Sequence, residues 1–334
     1  MNKNIDKKGQ YLGIDIGGTN IRFGIVDVRG RLLSFKSLPI EQSADKAIEQ
    51  IKTFIKRLIE QSEGYETENT GIKNINIKAV GIAAAGQIDR KNGIIIYSPN
   101  LNWRNVRIKE ELENLFNIPV LIENDVNAIA YGEWKAGIGK GVKNLVCIFI
   151  GTGIGSGLVI NNRLIEGCNG SAGEIGHTVI VSGGRKCHCG NSGCFEAYAG
   201  GWGIAEIAVE KAVQNPEKYK MLIELSSGCI DNISSESIGR AYILQDEAAK
   251  ELVHMTAGYI ADGIISVVNL LNPCMIVLGG GVIDGIPDLT KIAEKEIRKR
   301  ALKVSADSLK IIKSEFGESA GLIGAAMVAK SQIK

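Results

Sequence analysis

Tyr11-Leu-Gly-Ile-Asp15-Ile-Gly17-Gly18-Thr19-Asn20-Ile-Arg-Phe-Gly-Ile-Val-Asp27 decides the architecture. Tyr11 to Ile16 is β-rich and apolar, a glycine turn follows, and Ile21 to Asp27 is a second such run. A third, Leu32 to Leu38, comes after the turn at Arg29-Gly30. The pattern predicts a β-meander, with no helix entered from the first strand. Glycines at such a turn let backbone N–H groups approach the oxygens of an anion. An ordinary hairpin turn is the plainer reading. Asp15, Thr19 and Asn20 add an acid and two polar side chains that a hairpin does not need.

The pattern returns about 135 residues later. Leu145 to Ile150 is a strand, then Gly151-Thr152-Gly153-Ile-Gly155-Ser-Gly157, then Leu158 to Ile160. Two copies of strand, glycine turn and strand predict two like-built α/β halves. These glycines fall at every second place and no helix follows at once, which disfavours a Rossmann dinucleotide turn. No G-x-x-x-x-G-K-[ST] occurs, so a P-loop is disfavoured too.

The chain has 334 residues, long for one core, so two domains are expected. Against 39 basic residues stand 37 acidic ones, for a net charge of +2, and this balance announces neither nucleic acid nor an anionic membrane. Cys147, Cys168, Cys229 and Cys274 are scattered, as reduced thiols of a cytosol would be. Met1 to Lys8 lacks an apolar signal core, and no apolar run reaches ~18 residues. A cytoplasmic protein is expected, with no membrane partner.

Between the two turns, Ala44 to Gln61 has helical spacing, Ser62 to Asn74 is a polar loop, and Ile77 to Ala85 is a buried strand. Tyr97 to Trp103 reads as a loop, Val106 to Phe116 as a helix, and Val120 to Glu123 as a strand. Asn124-Asp125-Val-Asn127 then starts a helix. Asn124 suits the N-cap, and Asp125 falls in the first turn, where the helix dipole favours a carboxylate. Later helices are expected over Trp202–Ala212, Ser235–Ala241, Gln245–Leu271, Leu289–Leu302 and Glu318–Ala329. Cys274 to Leu278 is a strand closed by Gly279-Gly280-Gly281, where a flat ring can lie against backbone unless the triplet is only a strand-to-helix turn.

Three of seven cysteines fall in Cys187-His-Cys189-Gly-Asn-Ser-Gly-Cys194-Phe-Glu196, with Glu174-Ile-Gly-His177 upstream. Three thiolates and one imidazole make the tetrahedral set of a structural Zn2+. Spacing leaves His188 as a competing ligand. Glu174 and Glu196 flank the set, where a metal-folded loop would aim them at a substrate.

Asp15-x-Gly-Gly-Thr-Asn, Glu123-Asn-Asp125, Gly151-Thr-Gly-x-Gly-x-Gly, Glu174-x-Gly-His177 and Cys187-x-Cys-Gly-x-x-Gly-Cys194-x-Glu196 occur in this order. Together, from about Tyr11 to the C-terminus, they resemble the ROK family, and most of all its bacterial glucokinases. The likeness implies an α/β, actin-like ATPase (ribonuclease H-like) fold, with ATP and sugar in a cleft between two α/β domains. The expected division is residues 1–123, completed by a C-terminal helix in 318–334, and 124–317, which holds the zinc loop 174–196. The resemblance assigns Gly17, Gly18, Thr19, Asn20, Gly151, Thr152 and Gly153 to the phosphates, and Gly279, Gly280 and Gly281 to adenine and ribose. Asp125 matches the catalytic base. Asn100, Asn124, Glu174, His177 and Glu196, with Asp125, match sugar contacts. His177, Cys187, Cys189 and Cys194 match ligands of one structural Zn2+. Ala85-Gly86-Gln87 departs from the Pro-Gly often found in the family, which touches the sugar loop only.

The activity implied is transfer of the γ-phosphoryl of Mg-ATP to the 6-hydroxyl of glucose, with Asp15 placing Mg2+ through water. Kinases for N-acetylmannosamine, N-acetylglucosamine, fructose or allose share these motifs, and polyphosphate is an alternative donor. A sugar-sensing repressor is the reading from another class. Only about a dozen residues precede the first turn, too few for a helix-turn-helix reader, so no nucleic-acid partner is expected. The family implies a homodimer or homotetramer.

Overall fold

The structure, a computed structural model, describes residues 9–62 and 75–333, without the side chains of 61 and 62. Met1–Lys8, read as lacking a signal core, and residues 63–74, read as polar loop, lie outside the described residues. The rest forms two compact units.

The first unit takes its described residues from Met1–Gly141, Leu164–Ala172 and Glu318–Lys334. It begins with the expected meander, β1 (Gln10–Ile16), β2 (Asn20–Asp27) and β3 (Leu32–Pro39), each strand antiparallel to the next. The helix α1 (Ala44–Ser62) lays Ile48, Ile51, Ile55 and Leu58 on this sheet, and its Phe54 stacks on Phe23 with ring centroids 3.9 Å apart. Next, β4 (Ile77–Ala84) joins β1 in parallel.

Three short strands then differ from the sequence expectation. β5 (Gln87–Asp89), β6 (Ile94–Ser98) and β7 (Trp103–Val106) form a small antiparallel sheet, whose later strands take in the ends of the expected loop, Tyr97 to Trp103, and the expected helix start at Val106. Ile95 pairs with Val106 and is buried in one cluster with Trp103, so burial holds these short strands together. α2 therefore starts at Ile108 and runs to Phe116. β8 (Val120–Asn124) pairs in parallel with β4 and leads directly into α3 (Asp125–Lys135). The sheet order is β3-β2-β1-β4-β8. The unit continues past Glu123, the boundary expected from sequence, to Gly141, because α3 packs within it on the helix Ala320–Lys330.

The second unit holds Val142–Arg163 and Gly173–Gly317. It repeats the first plan with β9 (Leu145–Ile150), antiparallel β10 (Ile154–Ile160) and β11 (Arg163–Leu164). Helices α4 (Glu196–Ala199), α5 (Gly201–Gln214), α6 (Lys220–Leu225), α7 (Ser235–Ile243) and α8 (Glu247–Leu271) follow. Then come β12 (Met275–Gly279), α9 (Gly281–Gly285), α10 (Leu289–Arg300), α11 (Lys303–Ser308) and β13 (Lys310–Lys313). β12 is parallel to both β9 and β13, giving the order β11-β10-β9-β12-β13. The two five-stranded sheets thus share one connectivity, as the repeated strand–turn–strand pattern predicts.

α8 corrects the reading that nothing in the chain is long and apolar enough to span a bilayer. Its length and composition meet that test, yet 50% of the apolar window is buried inside the protein. Ala249, Leu252, Val253, Ile260 and Ile264 all lie in the core of the second unit, so α8 is a core helix.

The chain ends in α12 (Ala320–Lys330), which returns to the first unit and packs on β1, β4 and α3. Every residue from Ala320 to Ala329 is buried, so the helix is apolar on all sides. Glycines make the seat. A Cβ on Gly13 or Gly81 would run into the backbone carbonyls of Leu322 or Ala325. One on Gly132 would stand 2.8 Å from the Cα of Gly324.

Candidate active site and metal centre

The first glycine turn joins β1 to β2 through Gly17 N–H donating to Asn20 O at 3.0 Å. Ile40 N–H steadies it by donating to Thr19 O, also at 3.0 Å. Among the described residues the N–H groups of Gly18 and Thr19 donate to no protein acceptor, and both residues are exposed. Asp15 closes β1 beneath the turn. Burial and then the Asp125 carboxylate push its pKa up to about 6, against the pull of Arg22. Arg22 Nη1 is 3.8 Å from Asp15 Oδ2. The fit is tight on the far side, where a Cβ on Gly321 of α12 would be 2.7 Å from Asp15 Cγ.

Asn124 is the N-cap of α3, as the sequence predicts. Its Oδ1 accepts from Val126 and Asn127 N–H at 3.1 Å each, which occupies two of the orphan donors of the first turn. Its Nδ2 donates to Gly86 O at 3.2 Å. The structural cap therefore uses most of the hydrogen-bonding capacity of Asn124, and one Nδ2 hydrogen remains for a ligand. Asp125 follows as the first helical residue, with the favourable end of the helix dipole behind it. Asn100 is exposed in the turn before β7, with its Cβ about one van der Waals contact from the position a Gly18 Cβ would take.

Sequence reasoning missed Arg90. Its Nε lies 2.8 Å from Oε2 of the buried Glu123, and Nη1 pairs with Glu166. Burial raises the Glu123 pKa to about 7 even though Arg90 pulls it down. Oε1 of Glu123 accepts the N–H of Asn124, so the ion pair supports the residue that caps α3. A lone arginine in a polar turn carries no sequence signal of this.

In the second unit Gly151 N–H donates to Gly153 O at 2.9 Å, and the N–H groups of Thr152 and Gly153 donate to no acceptor among the described residues. Space beside the Gly151 Cα is open, which suits a ligand. Gly153 is glycine for another reason: the Glu196 carboxylate fills the space a Cβ would need. Gly279 and Gly280 likewise make room for the protein itself, Gly279 for the Phe149 ring and Gly280, at φ 95°, for Ile150. Gly280 is also the N-cap of α9, so the strand-to-helix reading of the triplet holds for these two. Gly281 faces open space.

The metal set is brought together. His177, Cys187, Cys189 and Cys194 place one ligand atom each within 4.8 Å of all the others. Cys189 Sγ and Cys194 Sγ are 3.7 Å apart, and Cys187 Sγ is 3.8 Å from His177 Nδ1. The edge of a tetrahedron of ~2.3 Å Zn–S bonds is about 3.8 Å, so these residues fit Zn2+. Without a metal, burial pushes the Cys194 thiol up to about 12. A hydrogen bond from the backbone at Asn191 lowers that of Cys189. Three thiols this close call for a cation. His177 turns Nδ1 to the set and leaves Nε2 for another partner. Gly193, at φ 82°, turns the chain back into Cys194, where any side chain would meet Val181 O. His188 is outside the cluster and stacks on Trp202 with centroids 4.0 Å apart. Glu174 is exposed at the start of a short 3-10 turn, Ile175–His177. Glu196 is half-buried: Oε2 accepts Ile154 N–H at 2.8 Å and Oε1 accepts Trp202 Nε1 at 3.3 Å.

Residues 11–332 match the family model described as the ROK family. The chain belongs to the ROK family. Among ROK relatives, a glucokinase of Streptomyces coelicolor is 35% identical over 327 residues, 96% of this chain and 98% of that protein. A xylose repressor of Bacillus spizizenii is 31% identical, covering 95% of this chain and 76% of the repressor. A ROK glucokinase from Streptomyces griseus, solved with glucose and AMPPNP, superposes with a TM-score of 0.78 at 32% identity, over 97% of this chain and 100% of that one. The two mixed five-stranded sheets are therefore the actin-like ATPase architecture of ROK proteins.

Proposed function

We propose that this ROK protein is an ATP-dependent hexose kinase that transfers the γ-phosphoryl of Mg-ATP to the 6-hydroxyl of glucose. One observation carries the reading: the Asp125 carboxylate is presented by the Asn124 cap at the start of α3 and is felt by Asp15 under the first glycine turn. An acid beside an anion-ready turn is what phosphoryl transfer to an alcohol needs.

Such a transfer has a loose transition state, so positioning and charge stabilisation dominate. Asp125 orients the attacking hydroxyl and accepts its proton as the bond to phosphorus forms. A carboxylate of ordinary basicity suffices, because the hydroxyl becomes acidic only at that moment. The undonated N–H groups of Gly18, Thr19, Thr152 and Gly153 cradle the phosphates. Asn20 lines the first of these turns, and Gly281 leaves room for the nucleoside. Asp15, ionised above its pKa of about 6, attracts the Mg2+ that travels with ATP. Asn100, Asn124, Glu174, His177 and Glu196 pair with sugar hydroxyls, each of which both donates and accepts. When bound, Zn2+ supplies rigidity to the loop from Glu174 to Glu196 and takes no part in the chemistry, since four protein ligands fill its tetrahedron.

The glucokinase relatives support glucose as the substrate, and cytoplasmic placement and a homodimer or homotetramer belong to the same proposal. The xylose repressor relatives favour a second reading, a sugar-responsive repressor. A coupled ADP-release assay over glucose, N-acetylmannosamine, N-acetylglucosamine, fructose and allose, run with ATP and with polyphosphate, separates the possibilities. Glucose turnover with ATP is expected, and turnover of N-acetylmannosamine with none of glucose would overturn the substrate. In the same assay Asp125→Ala is expected to lose at least about 100-fold in kcat while glucose binding persists. A near-normal kcat would remove Asp125 as the base.

A further inference from the structure

The metal loop ends in a clamp on the second glycine turn. Gly201 N–H donates to Gly151 O at 2.8 Å, and Trp202 N–H donates to Thr152 O at 3.2 Å. Glu196 adds a carboxylate bridge, taking Ile154 N–H on one oxygen and Trp202 Nε1–H on the other. The turn is shaped for this bridge, because Gly153 leaves the space that the Glu196 carboxylate occupies. Behind the bridge, the Trp202 indole lies flat against His188, at an interplanar angle of 24°. His188 sits between Cys187 and Cys189. A continuous set of contacts therefore runs from the metal ligands through His188, Trp202 and Glu196 to Ile154.

We propose that Trp202 is a positioning residue for the nucleotide's phosphates. Its indole N–H fixes the rotamer of Glu196, Glu196 holds Ile154, and the free N–H groups of Thr152 and Gly153 are thereby set at one spacing. A carboxylate held at both oxygens cannot swing away from the turn; held at one, it can. His188 braces the indole from the metal loop, so an ordered loop favours nucleotide binding as well as sugar binding. This rests on the kinase reading for its ligand, but the clamp itself does not.

The test uses Trp202→Phe, which keeps an aromatic face for His188 and deletes the N–H. Three readouts apply to the zinc-loaded full chain: hydrogen exchange at the Ile154 amide, calorimetric titration with Mg-AMPPNP, and titration with glucose. Expected are exchange at Ile154 at least tenfold faster and an AMPPNP dissociation constant roughly three- to tenfold higher, measured without sugar, with glucose affinity also free to fall because Glu196 is a proposed sugar contact. His188→Gly should move exchange and AMPPNP binding in the same direction, and His188→Phe, which restores the stack, should bring both back. Wild-type exchange at Ile154 in Trp202→Phe overturns the clamp. Wild-type AMPPNP affinity in Trp202→Phe despite faster exchange at Ile154 overturns the positioning role. If the wild-type chain binds no AMPPNP, the kinase reading fails, while the exchange arm still decides whether Trp202 holds the turn.

Discussion

Asp15 binds its proton more tightly in the folded protein than an ordinary carboxyl does, with a pKa raised from 3.8 to about 6 by burial and then by Asp125. The folded state thus carries more bound proton than the unfolded chain between about pH 4 and 6, and stability falls as pH rises through that window. Asp15→Asn should therefore stabilise the protein by about 1–3 kcal/mol at pH 7.5 and by less at pH 5, while phosphoryl transfer collapses. Urea unfolding at the two pH values beside a kcat measurement checks this, and equal stability at pH 7.5 would refute it. Arg90→Met makes the opposite case. It strips the partner from buried Glu123, whose pKa already stands at about 7, so a cost of about 3–5 kcal/mol is expected at pH 8 and a smaller one at pH 6, where the carboxyl takes a proton. Adding Glu123→Gln should recover most of it. At this scale the sequence was partly transparent. Asn124 announced itself as a cap because caps are local, and the Cys3His set announced itself through ligand type. Arg90 and Trp202 gave no sign, because their partners lie 33 positions or more away or depend on a rotamer.

The last helix, α12, shows how an element is legible without its address. Its alanines and glycines predict close packing, yet nothing in them names β1 and β4 as the seat. Gly13 and Gly81 look like ordinary strand glycines until Leu322 and Ala325 are seen to rest on them. Gly81→Ala should cost about 3 kcal/mol or more, since backbone meets the new methyl group and neither side can yield by a rotamer change. Denaturant unfolding measures it, and a change below 1 kcal/mol would mean that the helix tilts away at little cost. The small sheet of β5, β6 and β7 escaped for a related reason. Its strands are only three to five residues long, and their identity comes from Ile95 and Trp103 being buried in one cluster.

For the molecule, the repeat of strand, glycine turn and strand was the most informative signal, since it predicted two like-built α/β halves, and the two sheets do share one strand order. Metal removal tests what the sequence predicts about the second unit. Chelation, or Cys189→Ser, should lower the melting temperature by at least about 5 °C and should unprotect amides from Glu174 to Trp202 first. Stoichiometric analysis of the purified protein showing no zinc would remove the metal from this account.

The seating of α12 also has a consequence for synthesis. β1 is made well before the helix that covers it, which is translated only after about 300 further residues. At ~5–20 residues per second, that leaves the glycine-lined face of β1 and β4 without its cover for roughly 15–60 s. The unit whose strands are made first is therefore finished second, and its open sheet is the natural client of a chaperone during that interval.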